Sequence, residues 1–365
     1  MRRRNLNRRF FFFILALTPG GFFIFLSASL GLLNRDGASY GRVVLKQLII
    51  LVAAIGLMLA AANFDYRRWR RWALPIFLAT LAINLLVFVP GLGFSSGGAR
   101  RWLSIGAQTF QPSELLKLGF IIYLAAWLTR SNIQLNSWAA GFLPFILLMG
   151  ITGATLIAEP DLGTFSVLAV SALAMFFVAG GRWRQLFLIA GLGLVVLGGV
   201  IAVKPYAQDR ILTFLNPQEN LLTSSYQLNQ SLITIGSGGW LGRGLGRSIQ
   251  KFNYLPEPIG DSIFAVAAEE FGFLGGLLII LVFVVFSWWG LTLAARAPDR
   301  FGRVLITGII VLIATGAFVN IASMLGLLPL TGIPLVFISH GGSSLLLSLL
   351  GCGIILSVGR FASKT

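Results

Sequence analysis

Ten apolar stretches, each close to the length that crosses a bilayer, decide what this chain can fold into. They lie near residues 10–33, 44–63, 73–90, 113–129, 139–158, 163–180, 186–203, 262–293, 304–326 and 334–358. A hydrocarbon core of about 30 Å takes about 20 helical residues, and backbone amides in lipid have no water to bond, so runs of this kind cross as helices. Only 11% of the 365 residues are charged, against about a quarter in soluble domains. The expected fold is an all-α integral membrane protein of about ten transmembrane helices in one domain, 1–365. Helices 1–7 fill 1–203, one large outer loop fills 204–261, and helices 8–10 fill 262–365. The apolar run behind the first nine residues exceeds a signal-peptide core and no small-residue cleavage site follows, so it is expected to stay as the first span.

The formal charge of +16 would suggest nucleic acid in a soluble chain. Here the cations fall in short gaps between spans, as topology signals do, and no nucleic acid is expected. With the N-terminus inside, seventeen of the 28 Lys and Arg face the cytoplasm, including Arg67, Arg68, Arg70 and Arg71. The predicted topology is N-in/C-in. Acids run the other way: Asp65 and Asp299 fall inside, whereas Asp36, Glu159, Asp161, Asp209, Glu219, Glu257 and Asp261 fall outside. Acids weigh little in topology, so the skew points to chemistry on the outer face. One cysteine, Cys352, excludes an internal disulfide, and with the single His340 it argues against a zinc cluster.

Five polar constellations interrupt the apolar pattern. Gly97-Gly98-Ala99-Arg100-Arg101-Trp102 leads to Gln111-Pro112-Ser113-Glu114 and Lys117. Pro112 and Glu114 suit a helix start, yet Lys117 sits at i+3 on the same face, where an ionisable pair looks into a cavity or a partner. Glu159-Pro160-Asp161 reads as a solvated hairpin turn or as a negative wall facing Lys117 or a divalent cation. Residues 236–251, with six glycines, Arg243, Arg247 and Lys251, could form an anion nest for a phosphate-bearing ligand. Glu257 and Asp261 precede the apolar run from Ile263. Asp261 is a good N-cap and equally well placed as a general base for an amphiphile; of Glu269 and Glu270, which cannot both face one site, one is expected to be structural. Last, Gly341-Gly342 break an apolar run beside Ser339, Ser343 and Ser344, which could satisfy the freed backbone. His340 reads as packing. The segment 221–235 is partly amphipathic and could lie along the membrane surface.

In this order, Gly98–Trp102, Gln111–Glu114 with Lys117, Glu159–Thr164, Leu255–Glu270 and Thr331–Ser344 resemble the SEDS family (shape, elongation, division and sporulation), closer to its FtsW branch than to its RodA branch. The resemblance implies a glycosyltransferase that polymerises lipid II into β-1,4 glycan strands at the outer face of the cytoplasmic membrane, alongside a class B penicillin-binding transpeptidase. It implies Asp261 as the essential aspartate, with Arg101, Glu114, Lys117 and Asp161 among the functional polar positions. The candidate substrate-binding set is Arg100, Arg101, Glu114, Lys117, Glu159, Asp161, Arg243, Lys251, Glu257, Ser343 and Ser344. A divalent cation, Mg or Mn, and no organic cofactor is expected. Two departures stand out: Ile259-Gly260-Asp261-Ser262 replaces the family's usual surroundings of the aspartate, and His340 replaces a tyrosine. A lipid II flippase, or a scaffold that only recruits the transpeptidase, are the rival readings.

Overall fold

The computed structural model describes residues 2–34, 37–96, 99–105, 108–131, 135, 137–217 and 225–361. Its helices are α1 (Arg2–Ser29), α2 (Gly37–Asn63), α3 (Tyr66–Leu85), α4 (Pro112–Leu128), α5 (Leu143–Ala158), α6 (Leu162–Val178), α7 (Trp183–Val203), α8 (Pro205–Leu215), α9 (Tyr226–Ser237), α10 (Ile263–Ala295), α11 (Arg300–Met324) and α12 (Gly342–Phe361). Each of the ten predicted apolar runs falls on one of them, and α8 and α9 occupy the long polar connection. Among the described residues, eight helices are long and apolar enough to cross a membrane. α4 and α6, with 17 residues each, rise only about 25 Å and pack inside the bundle. Gly97, Gly98, Arg35, Asp36, Glu219, residues 221–224 and Lys364, all used in the sequence reading, lie outside the described residues.

Short polar side chains set the helix starts. Asp65, Asp161 and Asp299 accept hydrogen bonds from the backbone N–H of Arg67 (3.0 Å), Thr164 (3.2 Å) and Gly302 (2.9 Å), satisfying donors that lipid could not. α11 is the hub, packing on α10, α6, α4 and α12; 72% of its most apolar stretch is buried, against 6% for α7 at the periphery.

Three features depart from the expected helical pattern. Between α3 and α4, outside the apolar runs, lies a small antiparallel sheet of β1 (Gly93–Ser96), β2 (Ala99–Ile105) and β3 (Gln108–Phe110) in the order β1-β2-β3. The last span begins at Gly342, not at 334: residues 334–341 are irregular, with Pro334 lacking an amide and Phe337 at φ +70°. Ser339 Oγ accepts from Leu335 N–H (2.8 Å), and His340 N–H donates to Ile259 O (2.7 Å). Third, α10 breaks at Gly272 (φ +68°).

That break explains the glycine-rich loop. An interrupted helix leaves carbonyls above the break and amides below it without partners, and residues 239–244 supply them. Phe273 and Leu274 N–H donate to Gly239 O (2.8 Å) and Trp240 O (3.3 Å), and the Arg243 and Gly244 N–H donate to Glu269 O and Glu270 O (2.9 Å each). A Cβ at Gly272 would stand 2.3 Å from Gly242 N, so glycine is needed on both sides of the contact. The amides expected to cradle a phosphate are those of a clasp on α10.

Candidate active site

Asp261 ends the polar connection two residues before α10, where Ser262 and not Asp261 holds the N-cap position, and α8, α9, α11 and the 330–334 stretch surround it. Gln227 Nε2 of α9 donates to Asp261 Oδ1 and to Ser262 Oγ, both at 3.2 Å. Asn320 Nδ2, from the last two turns of α11, donates to Asp261 O and Ile333 O, both at 2.8 Å, pinning the aspartate's backbone to the chain that turns at Gly332. Arg210 of α8 donates from Nη1 to Thr331 O (3.1 Å). A Cβ at Gly332 would lie 3.9 Å from both Arg210 Nη2 and Asp261 Oδ2, so a bare backbone leaves the space between cation and carboxylate open. Burial pushes the Asp261 carboxyl up to about 6; the Gln227 hydrogen bond and Arg210 pull against this, while the negative Glu257 adds to it.

A second wall comes from the α5–α6 hairpin. Arg101 of β2 donates from Nε to Glu159 O (3.1 Å) and from Nη2 to Pro160 O, so the small sheet holds the hairpin in place. Glu159 Oε1 accepts from Asn84 Nδ2 of α3 (2.5 Å). Burial, then the charge of Asp161, raises Glu159 to about 8, leaving it protonated at neutral pH. Arg210 lies within electrostatic reach of Arg101, Asp161, Tyr206 and Asp261; burial, then Arg101, lowers its pKa. Glu159 Oε2, Asp161 Oδ2, Tyr206 Oη and Thr331 Oγ1 are buried without a hydrogen-bond partner among the described residues. Four unsatisfied polar atoms at one place are costly in a folded chain and mark where a ligand would bond.

Below this wall, between α4, α6, α11 and α12, runs a narrow apolar cleft that reaches Ile333 and Ser344. Its one ion pair is Lys117 Nζ to Glu114 Oε1 at 2.8 Å, with both side chains nearly buried. Glu114 thus works as the cavity-facing partner of Lys117 and not only as a first-turn acid. The structure brings together Arg101, Glu114, Lys117, Glu159, Asp161, Glu257, Asp261 and Ser344 around one cleft and its mouth.

Four candidates lie elsewhere or are occupied. Arg100 is exposed and directly precedes Arg101 on a strand, so it projects from the opposite face. Ser343 Oγ accepts from Gln111 N–H (3.3 Å), tying α12 to the start of α4. Arg243 bonds Ser237 O and pairs with Glu269 (3.4 Å). Lys251 is fully buried: its ammonium donates to Glu270 Oε1 (2.7 Å), Gly246 O (2.9 Å) and Ser27 O (3.0 Å), leaving no donor for a phosphate. Both Glu269 and Glu270 are structural, where the sequence reading expected one. His340 stacks on Phe25 (5.8 Å), the packing role expected of it.

The sequence reading missed Arg210, Tyr206, Gln227, Asn320 and Asn84. Two signals were present: Tyr206 and Arg210 share a helix face at i, i+4, and Asn84 and Asn320 are lone amides inside apolar runs, where a polar group needs a partner.

The chain is similar to proteins of known family along nearly its whole length. The family model for FtsW, RodA and SpoVE, described as cell cycle protein, matches residues 8–364. Stage V sporulation protein E of Bacillus subtilis (strain 168) is 41% identical over 86% of both chains. The probable peptidoglycan glycosyltransferase FtsW of Geobacter sp. (strain M18) is 40% identical over 86% of this chain and 85% of its own. Among solved structures, a chain from "Structural coordination of polymerization and crosslinking by a peptidoglycan synthase complex" superposes with a TM-score of 0.80 at 28% identity, covering 98% of each chain. Thermus thermophilus RodA superposes at 0.68 with 26% identity, over 96% of this chain and 95% of its own. A multi-pass inner-membrane bundle matched from end to end in this way belongs to the FtsW/RodA/SpoVE family of cell cycle proteins.

Proposed function

We propose that this chain is a peptidoglycan glycosyltransferase that joins lipid II units into β-1,4 glycan strands, with Asp261 as the general base. One observation carries the assignment: a half-buried carboxylate, raised to about 6, stands across an open space from Arg210. A base working near neutral pH is most effective with a pKa in that region. The relatives named as FtsW glycosyltransferases support the same reading.

In the proposed step, the 4-hydroxyl of the acceptor's N-acetylglucosamine bonds to the anomeric carbon of the donor's N-acetylmuramic acid. Asp261 takes the hydroxyl proton, and the bond from that carbon to undecaprenyl diphosphate breaks, the diphosphate leaving with the electron pair. An α-linked donor and a β-linked product need one displacement with inversion, so no second carboxylate nucleophile is required. Arg210 and Arg101 meet the charge growing on the diphosphate, and Lys117 in the cleft below meets an oxygen of the lipid-linked end. No group of three acidic, His or Cys side chains gathers as metal ligands among the described residues. Magnesium or manganese would therefore enter as the counter-ion of the substrate's own diphosphate, held against Asp161 Oδ2.

The cation-rich ends place the N- and C-termini in the cytoplasm, which puts Asp261 at the outer face. Because the 0.80 superposition is with a chain of a synthase complex, a class B penicillin-binding transpeptidase is the expected partner. The test is polymerisation of purified lipid II by the protein with that partner, read on a gel. Asp261→Asn is expected to slow it by about 10²–10⁴ while still folding and binding lipid II; an Asn variant that makes strands at the normal rate overturns the assignment. Lipid II crossing proteoliposome membranes without polymer would favour the flippase reading.

A further inference from the structure

The turn between α2 and α3 opens a groove at the end of the bundle away from Asp261. α2 packs chiefly on α12, and α3 on α4, so the two arms of this hairpin diverge from their turn instead of packing together. Leu57 of α2 and Phe64 of the turn face Arg68, Trp69 and Trp72 of α3, and Leu350 of α12 closes the back, around about 380 Å³. The α3 helix, about 30 Å long at 1.5 Å per residue, separates this groove from Asn84 and the catalytic hairpin.

The walls are apolar and the mouth is not. Arg68 stacks over the Phe64 ring at 5.4 Å and makes no ion pair among the described residues. The Trp69 ring meets Phe64 edge-on at 5.4 Å, and its indole N–H is buried without an acceptor among the described residues. The nearest acid, Asp65, is committed to the Arg67 amide at 3.0 Å. An unpaired cation and an orphaned donor beside an apolar slot ask for an amphiphile that brings anionic oxygens. A soluble anion cannot fill the slot, and a zwitterionic head carries its own cation up to the Arg68 guanidinium; Arg70 turns away, to Thr129 O (3.1 Å) and the Phe301 ring. Basic pockets between spanning helices on the cytoplasmic side are suited to anionic lipid heads.

We propose that the α2–α3 groove is a binding site for an anionic glycerophospholipid, one acyl chain between the arms and the phosphate shared by Arg68 and the Trp69 indole N–H. The site does not depend on the glycosyltransferase reading. Its test is lipid retention, not polymerisation: the full-length protein is released from nanodiscs of mixed phosphatidylglycerol and phosphatidylcholine and its bound lipids are counted by native mass spectrometry. Wild type is expected to keep phosphatidylglycerol over phosphatidylcholine. Arg68→Gln should cut retained phosphatidylglycerol about fivefold, the worth of one interfacial cation. Trp69→Phe, which keeps a ring and removes the donor, should cut it by a smaller factor. Arg184→Gln removes the same charge from an exposed position on the same side and should change nothing. Equal retention of both lipids by wild type, or equal losses in the Arg68 and Arg184 variants, overturns the proposal. Melting curves of each variant in detergent establish that it folds.

Discussion

Two clusters of charge lie close together around the start of α10, built from the same residue types and used in opposite ways. Around Lys251, every group is satisfied: three ammonium bonds, Glu270 Oε2 bonded by Ser27 Oγ at 2.5 Å, and Glu269 bonded by Ser248 Oγ and the Ile249 and Gln250 amides. Around Asp261, among the described residues, one hydrogen bond reaches the carboxylate, and four neighbouring polar atoms have no partner. The first cluster fastens a broken helix to its loop and to α1. The second keeps its bonding capacity for something that arrives. Charge alone does not separate a site from a staple; unsatisfied charge does.

Breaking the staple should give the largest effect on stability. Lys251→Ala leaves Glu270 buried and unpaired, and is expected to lower stability by roughly 3–5 kcal/mol, seen as a large drop in apparent melting temperature. The protein that remains folded should polymerise at its normal rate. Lys251→Met with Glu270→Leu should recover most of the loss, because the pair is replaced and not orphaned. If Lys251→Ala lowers activity without lowering stability, the two clusters have been assigned the wrong way round.

Arg210→Gln should do the reverse, slowing polymerisation by about 10²–10³, or about 2.7–4 kcal/mol, with little change in melting. The pH profile sharpens the contrast. Polymerisation should rise with pH through a midpoint near 6, where Asp261 loses its proton. Stability should move oppositely: an unfolded aspartate titrates near about 3.9, so between that value and about 6 the native protein holds more protons than the unfolded chain. Stability contributed by this group therefore falls as pH rises through that window. Asp261→Asn lacks the effect, and its melting temperature should gain on wild type over the same range. The smallest change is expected for Glu159→Gln. Glu159 is already protonated at neutral pH and the amide keeps the oxygen that Asn84 bonds, so polymerisation should change by less than about tenfold.

The sequence reading found the spans, the basic ends, the catalytic candidate and the hairpin acids, because each leaves a local mark. A run of twenty apolar residues is read without knowing its neighbours, and so is an aspartate just before such a run. Arg243 and Lys251 were read as phosphate ligands for the same reason: glycines beside cations look alike whether the amides face a ligand or a helix. Only the break at Gly272, invisible in an otherwise apolar run, shows where those amides go.

By itself, then, the sequence determined that the chain crosses the membrane many times, which of its ends carry the cations, and that Asp261 stands just before a span. Those follow from hydrophobic length and charge, which act locally on each segment. Tertiary structure alone decided that Arg210, Tyr206 and Gln227 join Asp261 while Lys251 and Arg243 do not. Whether a polar atom is satisfied depends on which distant segment is folded against it.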